Sequence, residues 1–188
     1  RPPASRPPER SGGFHLLGKV VIFGNSGSGK STLAATLART TGAAHLDLDT
    51  LAWEPTTPPR RRALTASVAD LEAFARAHAA WVIEGCYADL LAAAIVPGSQ
   101  LIFLNPGIEV CIENCRARPW EPHKYPSREA QDANLAMLIG WVREYDTRTD
   151  EFSLHAHRAL FDELAGDKIE LTSRDAIAAY CLAIGGSV

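Results

Sequence analysis

Residues 19–32, KVVIFGNSGSGKST, join an apolar run to a glycine-rich turn that ends in Lys30, Ser31 and Thr32. Gly24, four intervening residues and then Gly29-Lys30-Ser31 form the phosphate-loop pattern, which carries weight only between a strand and a helix. Both flanks are there. Residues 19–23 read as a buried strand and residues 31–39, STLAATLAR, as a helix. Glycines let successive backbone N–H groups point inward, and the helix N-terminus adds the positive end of its dipole, so such a turn is an anion cradle. Gly24, Asn25, Ser26, Gly27, Ser28, Gly29, Lys30, Ser31 and Thr32 are therefore expected to hold the phosphates of ATP or another nucleoside triphosphate with Mg2+. Within that set, Lys30 reaches the β- and γ-phosphates, the Ser31 hydroxyl ligates the magnesium, and Thr32 helps hold the α-phosphate.

Outward from the loop, short apolar runs alternate with amphipathic stretches, the pattern of parallel strands joined by crossover helices. Further strands are predicted over 43–48, 81–84, 100–104 and 168–171. Between the first two of these, Leu64, Ser67, Val68, Leu71, Phe74, Ala75 and His78 recur at helical spacing. That helix is read as opening with Arg60, Arg61 and Arg62 after the proline-rich loop 55–59. A helix over 108–118 is stopped by Pro119, and 120–126 is a polar loop bounded by prolines. Ser127 then caps a helix whose apolar stripe is Ala130, Ala133, Met137, Leu138, Trp141, Val142 and Tyr145. Ser153 caps another over 154–164, on which His155 and His157 face apart. A last helix begins near Ser173, packs Ile177, Cys181 and Ile184, and is ended by Gly185 and Gly186. The expected architecture is a three-layer α/β phosphate-loop NTPase fold with a five-stranded parallel sheet and a short helical lid.

The length of 188 residues suits one well-buried domain, placed at 18–188 with the lid at about 116–148. Residues 1–17, rich in Arg, Pro, Ser and Gly near their start, are read as a disordered tail or a start-site artefact. A net charge of -3 argues against a general nucleic-acid coat protein, although short nucleic-acid substrates stay open. No apolar run approaches the roughly twenty residues of a membrane span, and no charged segment followed by an apolar one opens the chain. A cytoplasmic protein with no membrane partner is expected. Cys86, Cys111, Cys115 and Cys181 contain no C-x-x-C pair, so buried reduced thiols are favoured over a zinc site.

Ligands of open parallel sheets lie at the carboxyl ends of the strands, so the residues there decide between a kinase, a GTPase, a motor and a sensor. The second strand ends in His45-Leu46-Asp47-Leu48-Asp49, whose carboxylates, two apart, share one side of an extended segment. One suits a magnesium-bound water and the other a substrate hydroxyl; an Asx turn or helix cap is the structural alternative. The third strand ends in Val82-Ile83-Glu84-Gly85-Cys86-Tyr87, with Glu84 where a magnesium-organising carboxylate belongs. The fourth ends in Leu104-Asn105-Pro106 and supplies no carboxylate.

These motifs resemble the small-molecule and nucleotide kinases of the adenylate kinase-like branch of phosphate-loop proteins, including shikimate and gluconate kinases. The nearest likeness is to an uncharacterised bacterial group labelled adenylate kinase-like or DNA topology modulation proteins, over most of the chain from about Lys19. Asp47-Leu48-Asp49 looks like the Asp-x-Asp of shikimate kinases, and Asp49-Thr50-Leu51-Ala52-Trp53 like the Asp-x-x-x-Trp of the uncharacterised group. Val82-Ile83-Glu84-Gly85 is similar to the acidic-Gly pair of adenylate kinases, and Thr147-Arg148-Thr149-Asp150-Glu151 to their Arg-x-Asp-Asp after the lid. The resemblance implies that Arg116, Arg118 and Arg148 close over the phosphates, with Arg158 nearly in the register of a second family arginine. The chain lacks the long lid and four-cysteine cluster of many adenylate kinases, and the Gly-Gly-Gly after the third strand of shikimate kinases.

The expected activity is transfer of the γ-phosphoryl group of ATP to a small acceptor bearing a hydroxyl or phosphate. Lys30, Asp49, Arg116 and Arg148 are the candidate catalytic residues, and Ser31, Asp47 and Glu84 the candidate magnesium residues. A regulator that binds or hydrolyses NTP and a polynucleotide 5′-end kinase are the alternatives.

Overall fold

The computed structural model describes residues 18–122 and 124–185, so the expectations for 1–17 and Gly186 lie outside the described residues. β1 (Lys19–Gly24) is buried at every position after Lys19, because it runs through the middle of a sheet covered on both faces. Gly24 leads into the glycine loop, and α1 (Lys30–Thr41) carries the chain back to β2 (Ala44–Asp47). A short helix, α2 (Asp49–Ala52), follows, then the antiparallel pair β3 (Trp53–Glu54) and β4 (Arg60–Arg61), and α3 (Leu64–Ala77). β5 (Trp81–Gly85), α4 (Ala88–Ala94), β6 (Gln100–Leu104) and α5 (Ile108–Ala117) come next. α6 (Arg128–Arg143), a 3-10 turn at Glu144–Asp146, α7 (Leu154–Glu163), β7 (Lys168–Leu171) and α8 (Arg174–Ala183) complete the chain.

The main sheet is parallel throughout and ordered β2-β5-β1-β6-β7. Alternate residues of β1 serve opposite faces, as a two-residue period requires. Val21 and Phe23 pack with Leu71, Leu90, Leu91 and Phe103 under α3, α4 and α7, whereas Val20 and Ile22 pack with Leu33, Leu37, Ile102 and Cys181 under α1 and α8. A third cluster joins Cys111, Ile112 and Cys115 of α5 to Ile139 and Val142 of α6. The result is the expected three-layer arrangement. Ser127, Ser153 and Ser173 each accept a backbone N–H three residues on, which satisfies the first-turn donors of α6, α7 and α8.

None of Arg60, Arg61 and Arg62 opens the third helix, which starts at Leu64. Arg62 pairs with Asp70, and Arg60 and Arg61 pair with Glu54 and Trp53, because Arg61 has tertiary partners in three aromatic rings and two carboxylates that outweigh the local helical pattern. The stripe expected on α6 also shifts: Met137 is 69% exposed, and Leu135, Leu138, Ile139 and Val142 form the packed face. All four cysteines are free, with only Cys86 less than buried, and His155 is exposed while His157 is buried. Among the described residues no helix is long and apolar enough to cross a membrane.

Candidate active site

The glycine loop is shaped from outside as well as by its own sequence. Gly24 has φ +149°, and a Cβ there would strike the Leu104 carbonyl; Gly27 has φ +79°, and a Cβ there would strike the Cys111 carbonyl and sit 2.7 Å from Cys115 Sγ. Glycine is required at both on two counts, backbone conformation and space. Asn114 Nδ2 donates to the Gly27 carbonyl at 2.8 Å, and Asn25 Nδ2 donates to the Val142 carbonyl at 3.1 Å. These bonds press α5 and the end of α6 against the loop. Lys30 Nζ folds back to the Asn25 carbonyl at 2.8 Å, and Ser31 and Thr32 are exposed at the start of α1.

Asp47 and Glu84 lie in register at the carboxyl ends of neighbouring strands. The chain does not stay extended to Asp49 as expected. It turns at Leu48 (φ −64°, ψ −18°), Asp49 opens α2, and the Asp49 N–H donates to Asp47 Oδ1 at 2.9 Å. Asp49 is therefore aimed by other groups. Its Oδ1 accepts from the Tyr87 hydroxyl at 2.6 Å, which itself accepts from Trp53 Nε1 at 2.7 Å. Its Oδ2 lies 3.3 Å from Lys124 Nζ, which is also 3.8 Å from Asp47 Oδ2 and 3.7 Å from Glu121 Oε1. Lys124 thus brings the loop between α5 and α6 down onto the two aspartates.

This crowding splits the acidic groups. Burial, then the charges of Asp49 and Glu84, push Asp47 up from 3.8 to about 6. Burial acts upward on Asp49 too, yet the Tyr87 hydrogen bond and the Lys124 and Lys30 charges outweigh it and hold its carboxyl below the usual range. Glu84 is 2% exposed; its Oε1 lies 3.7 Å from His45 Nε2 and has no hydrogen-bond partner among the described residues.

The arginines are placed as follows. Arg148 lies on the Trp141 ring, 3.4 Å from its centroid, and forks onto Asp150 at 2.6–3.0 Å. Arg116 is exposed in the last turn of α5, and Arg118 pairs with Glu121 at 3.3 Å. Arg158 is committed elsewhere: it grips Glu170 of β7 through two 2.7 Å bonds. Arg61 lies over the rings of Trp53, Tyr87 and Phe152 and pairs with Asp89 at 3.2 Å and Glu151 at 3.0 Å.

The donor set fits a triphosphate with magnesium. Ser28 Oγ is buried in the loop without a hydrogen-bond partner among the described residues, and a Cβ at Gly29 would have nothing within 4 Å. Ser31, Asp47 and Glu84 offer the oxygen donors that magnesium takes. Among the described residues no group of three or more His, Cys, Asp or Glu side chains is placed to hold a metal ion. Tyr87, Lys124 and Asn114 are site residues that the sequence reading missed. Tyr87 closes the quoted strand-end motif and was open to discovery there, whereas nothing local marks Lys124 or Asn114.

No family model matches the chain, and no curated protein matches it. Among solved structures it is similar to a shikimate kinase from Acinetobacter baumannii in complex with shikimate, at 17% identity and TM-score 0.51 over 90% of each chain. It is also similar to a gluconokinase from Sinorhizobium meliloti, at 19% identity and TM-score 0.52 over 89% of each chain. The chain has the three-layer α/β fold of these phosphate-loop small-molecule kinases.

Proposed function

We propose that the protein is a phosphate-loop kinase that moves the γ-phosphoryl group of ATP to a small acceptor bearing a hydroxyl or phosphate. One observation carries this: the carboxyl edge of a single parallel sheet sets the glycine loop and Lys30 beside Asp47, Glu84 and Asp49. A nucleotide sensor has no need of a carboxylate aimed by dedicated partners, as Asp49 is by Tyr87. The fold shared with a shikimate kinase and a gluconokinase supports the same class.

In this scheme Lys30 and the loop amides hold the phosphates of the nucleotide. Ser31 directly, and Asp47 and Glu84 through water, hold magnesium, which neutralises phosphate charge when bound. Asp49, kept ionised, accepts the hydrogen bond of the acceptor hydroxyl and orients its oxygen for in-line attack. Arg116 and Arg148 close from a lid spanning about 116–148. Arg148 exchanges Asp150 for phosphate while Trp141 keeps its guanidinium plane oriented. Catalysis of this kind rests on positioning and electrostatics, without a covalent intermediate. Incubation with γ-labelled ATP, magnesium and a fractionated metabolite pool tests it. Label in a small molecule is the expected result; free phosphate alone, across all fractions, would refute the kinase assignment.

A further inference from the structure

Trp53, Tyr87 and Asp49 form a hydrogen-bond chain of 2.7 and 2.6 Å that links the β3–β4 pair, the turn after β5 and the first residue of α2. Its direction is fixed by chemistry. An indole nitrogen only donates, so the Tyr87 oxygen accepts from Trp53, and the single phenolic proton is directed to Asp49. The Tyr87 ring cannot drift. It is 2% exposed, packs edge-on to Phe152 at 5.2 Å, and lies under the Arg61 guanidinium at 4.8 Å. Arg61 in turn is held by Asp89 and Glu151.

We infer that Tyr87, locked by Trp53, is the positioning residue of Asp49: it ties down Oδ1, and Oδ2, which also accepts from Lys124 Nζ at 3.3 Å, uses its remaining lone pair to receive the acceptor hydroxyl. The inference rests on the kinase reading of the site. Without this tie, the Asp49 side chain at the start of a four-residue helix has only the flexible Lys124 to orient it. A reacting oxygen misplaced by about 1 Å costs on the order of a hundredfold in turnover. The tie is also local to the acceptor half of the site, since neither Tyr87 nor Trp53 belongs to the glycine loop.

Tyr87→Phe keeps the ring and its packing and removes only the hydroxyl; Trp53→Phe removes the N–H that locks it, together with part of the ring that packs against Arg61 and Tyr87. Turnover of the labelled product is expected to fall about 10- to 100-fold in Tyr87→Phe and less in Trp53→Phe. The KM for ATP stays within about twofold, because the phosphate cradle is untouched. The contact itself is read by a double-mutant cycle in urea. Tyr87→Phe is expected to lower the folding constant about tenfold or more in the wild-type background, and about threefold or less beside Asp49→Asn, where the charged acceptor is gone. Wild-type turnover in Tyr87→Phe, or equal losses in both backgrounds, would overturn the inference. Failure of the kinase reading looks different: the wild type gives no labelled product, and the urea cycle alone then decides whether Tyr87 ties Asp49.

Discussion

Asp47→Asn is expected to stabilise the protein at neutral pH while removing its magnesium-dependent activity. Asp47 is held at about 6 against an ordinary 3.8, chiefly by burial and then by the charges of Asp49 and Glu84. Its side chain is 23% exposed, so solvent does not erase these effects. Because the folded pKa lies above the unfolded one, the ionised form is penalised on folding. The wild type therefore gains stability as pH falls from about 6 towards 4 and lacks that stability above it. At about 1.4 kcal/mol per pH unit, the penalty at pH 8 is about 3 kcal/mol. Asparagine carries no such charge and can still accept the Asp49 N–H through Oδ1, the 2.9 Å bond that shapes the turn. In nucleotide-free buffer with EDTA, Asp47→Asn is expected to melt about 5–10 °C above the wild type at pH 8. By pH 4.5 the same linkage leaves a gap of about 1 kcal/mol. Comparing the two proteins at each pH cancels the titrating groups that do not interact with Asp47, leaving Asp47 and its charged neighbours Asp49, Glu84 and Lys124. A variant that melts at or below the wild type at pH 8, or a gap that does not narrow on acidification, would refute this account of the acidic cluster.

Acidification has a second consequence: kcat/KM for ATP with magnesium is expected to fall as pH drops through about 6, where Asp47 of the free protein takes a proton; a pH profile of kcat/KM at subsaturating ATP checks it. His157, buried between Tyr145 and the Cys86 carbonyl, is held at about 4 chiefly by burial and, as a group depressed below 6.5, must charge on acid unfolding. It contributes stability that is full above about pH 6.5 and lost towards pH 4, so urea midpoints of Asp47→Asn are expected to fall over that window, where in the wild type Asp47 offsets the loss. Gly27→Ala places a methyl group against the Cys111 carbonyl at φ +79°, and is expected to cost about 2–4 kcal/mol in urea unfolding together with ATP binding. Asp49→Asn is expected to abolish transfer with ATP affinity nearly unchanged, measured with a fluorescent ATP analogue; lost affinity would refute the division between donor and acceptor halves. Arg148→Ala is expected to lose about a hundredfold or more in turnover, and Arg148→Lys to recover little, because an ammonium neither stacks on Trp141 nor bonds phosphate as a fork.

The phosphate loop was legible because it is local. Its fourteen quoted residues, 19–32, contain a strand, a turn whose conformation needs glycine, and a helix start, and each follows from neighbours in sequence. The parallel sheet was legible for a related reason: strands buried on both faces leave uninterrupted apolar runs such as residues 101–104, and serine caps mark where helices begin. Asp47 and Glu84 were found because strand ends can be counted from those runs. The surroundings of Asp49 obey no such rule. Tyr87 meets Asp49 across 38 residues, Trp53 meets Tyr87 across 34, Lys124 reaches Asp49 across 75 and Arg61 reaches Glu151 across 90. Local pattern misread Arg60 and Arg61 as a helix start, since rings and carboxylates distant in sequence decided their conformation. The glycine loop and the sheet that carries it follow from neighbours along the chain, because backbone conformation and apolar periodicity are set within a few residues. Which side chains aim Asp49 depends on the packing of distant elements, because hydrogen bonds of 2.6 to 2.7 Å between them exist only once the whole chain has folded.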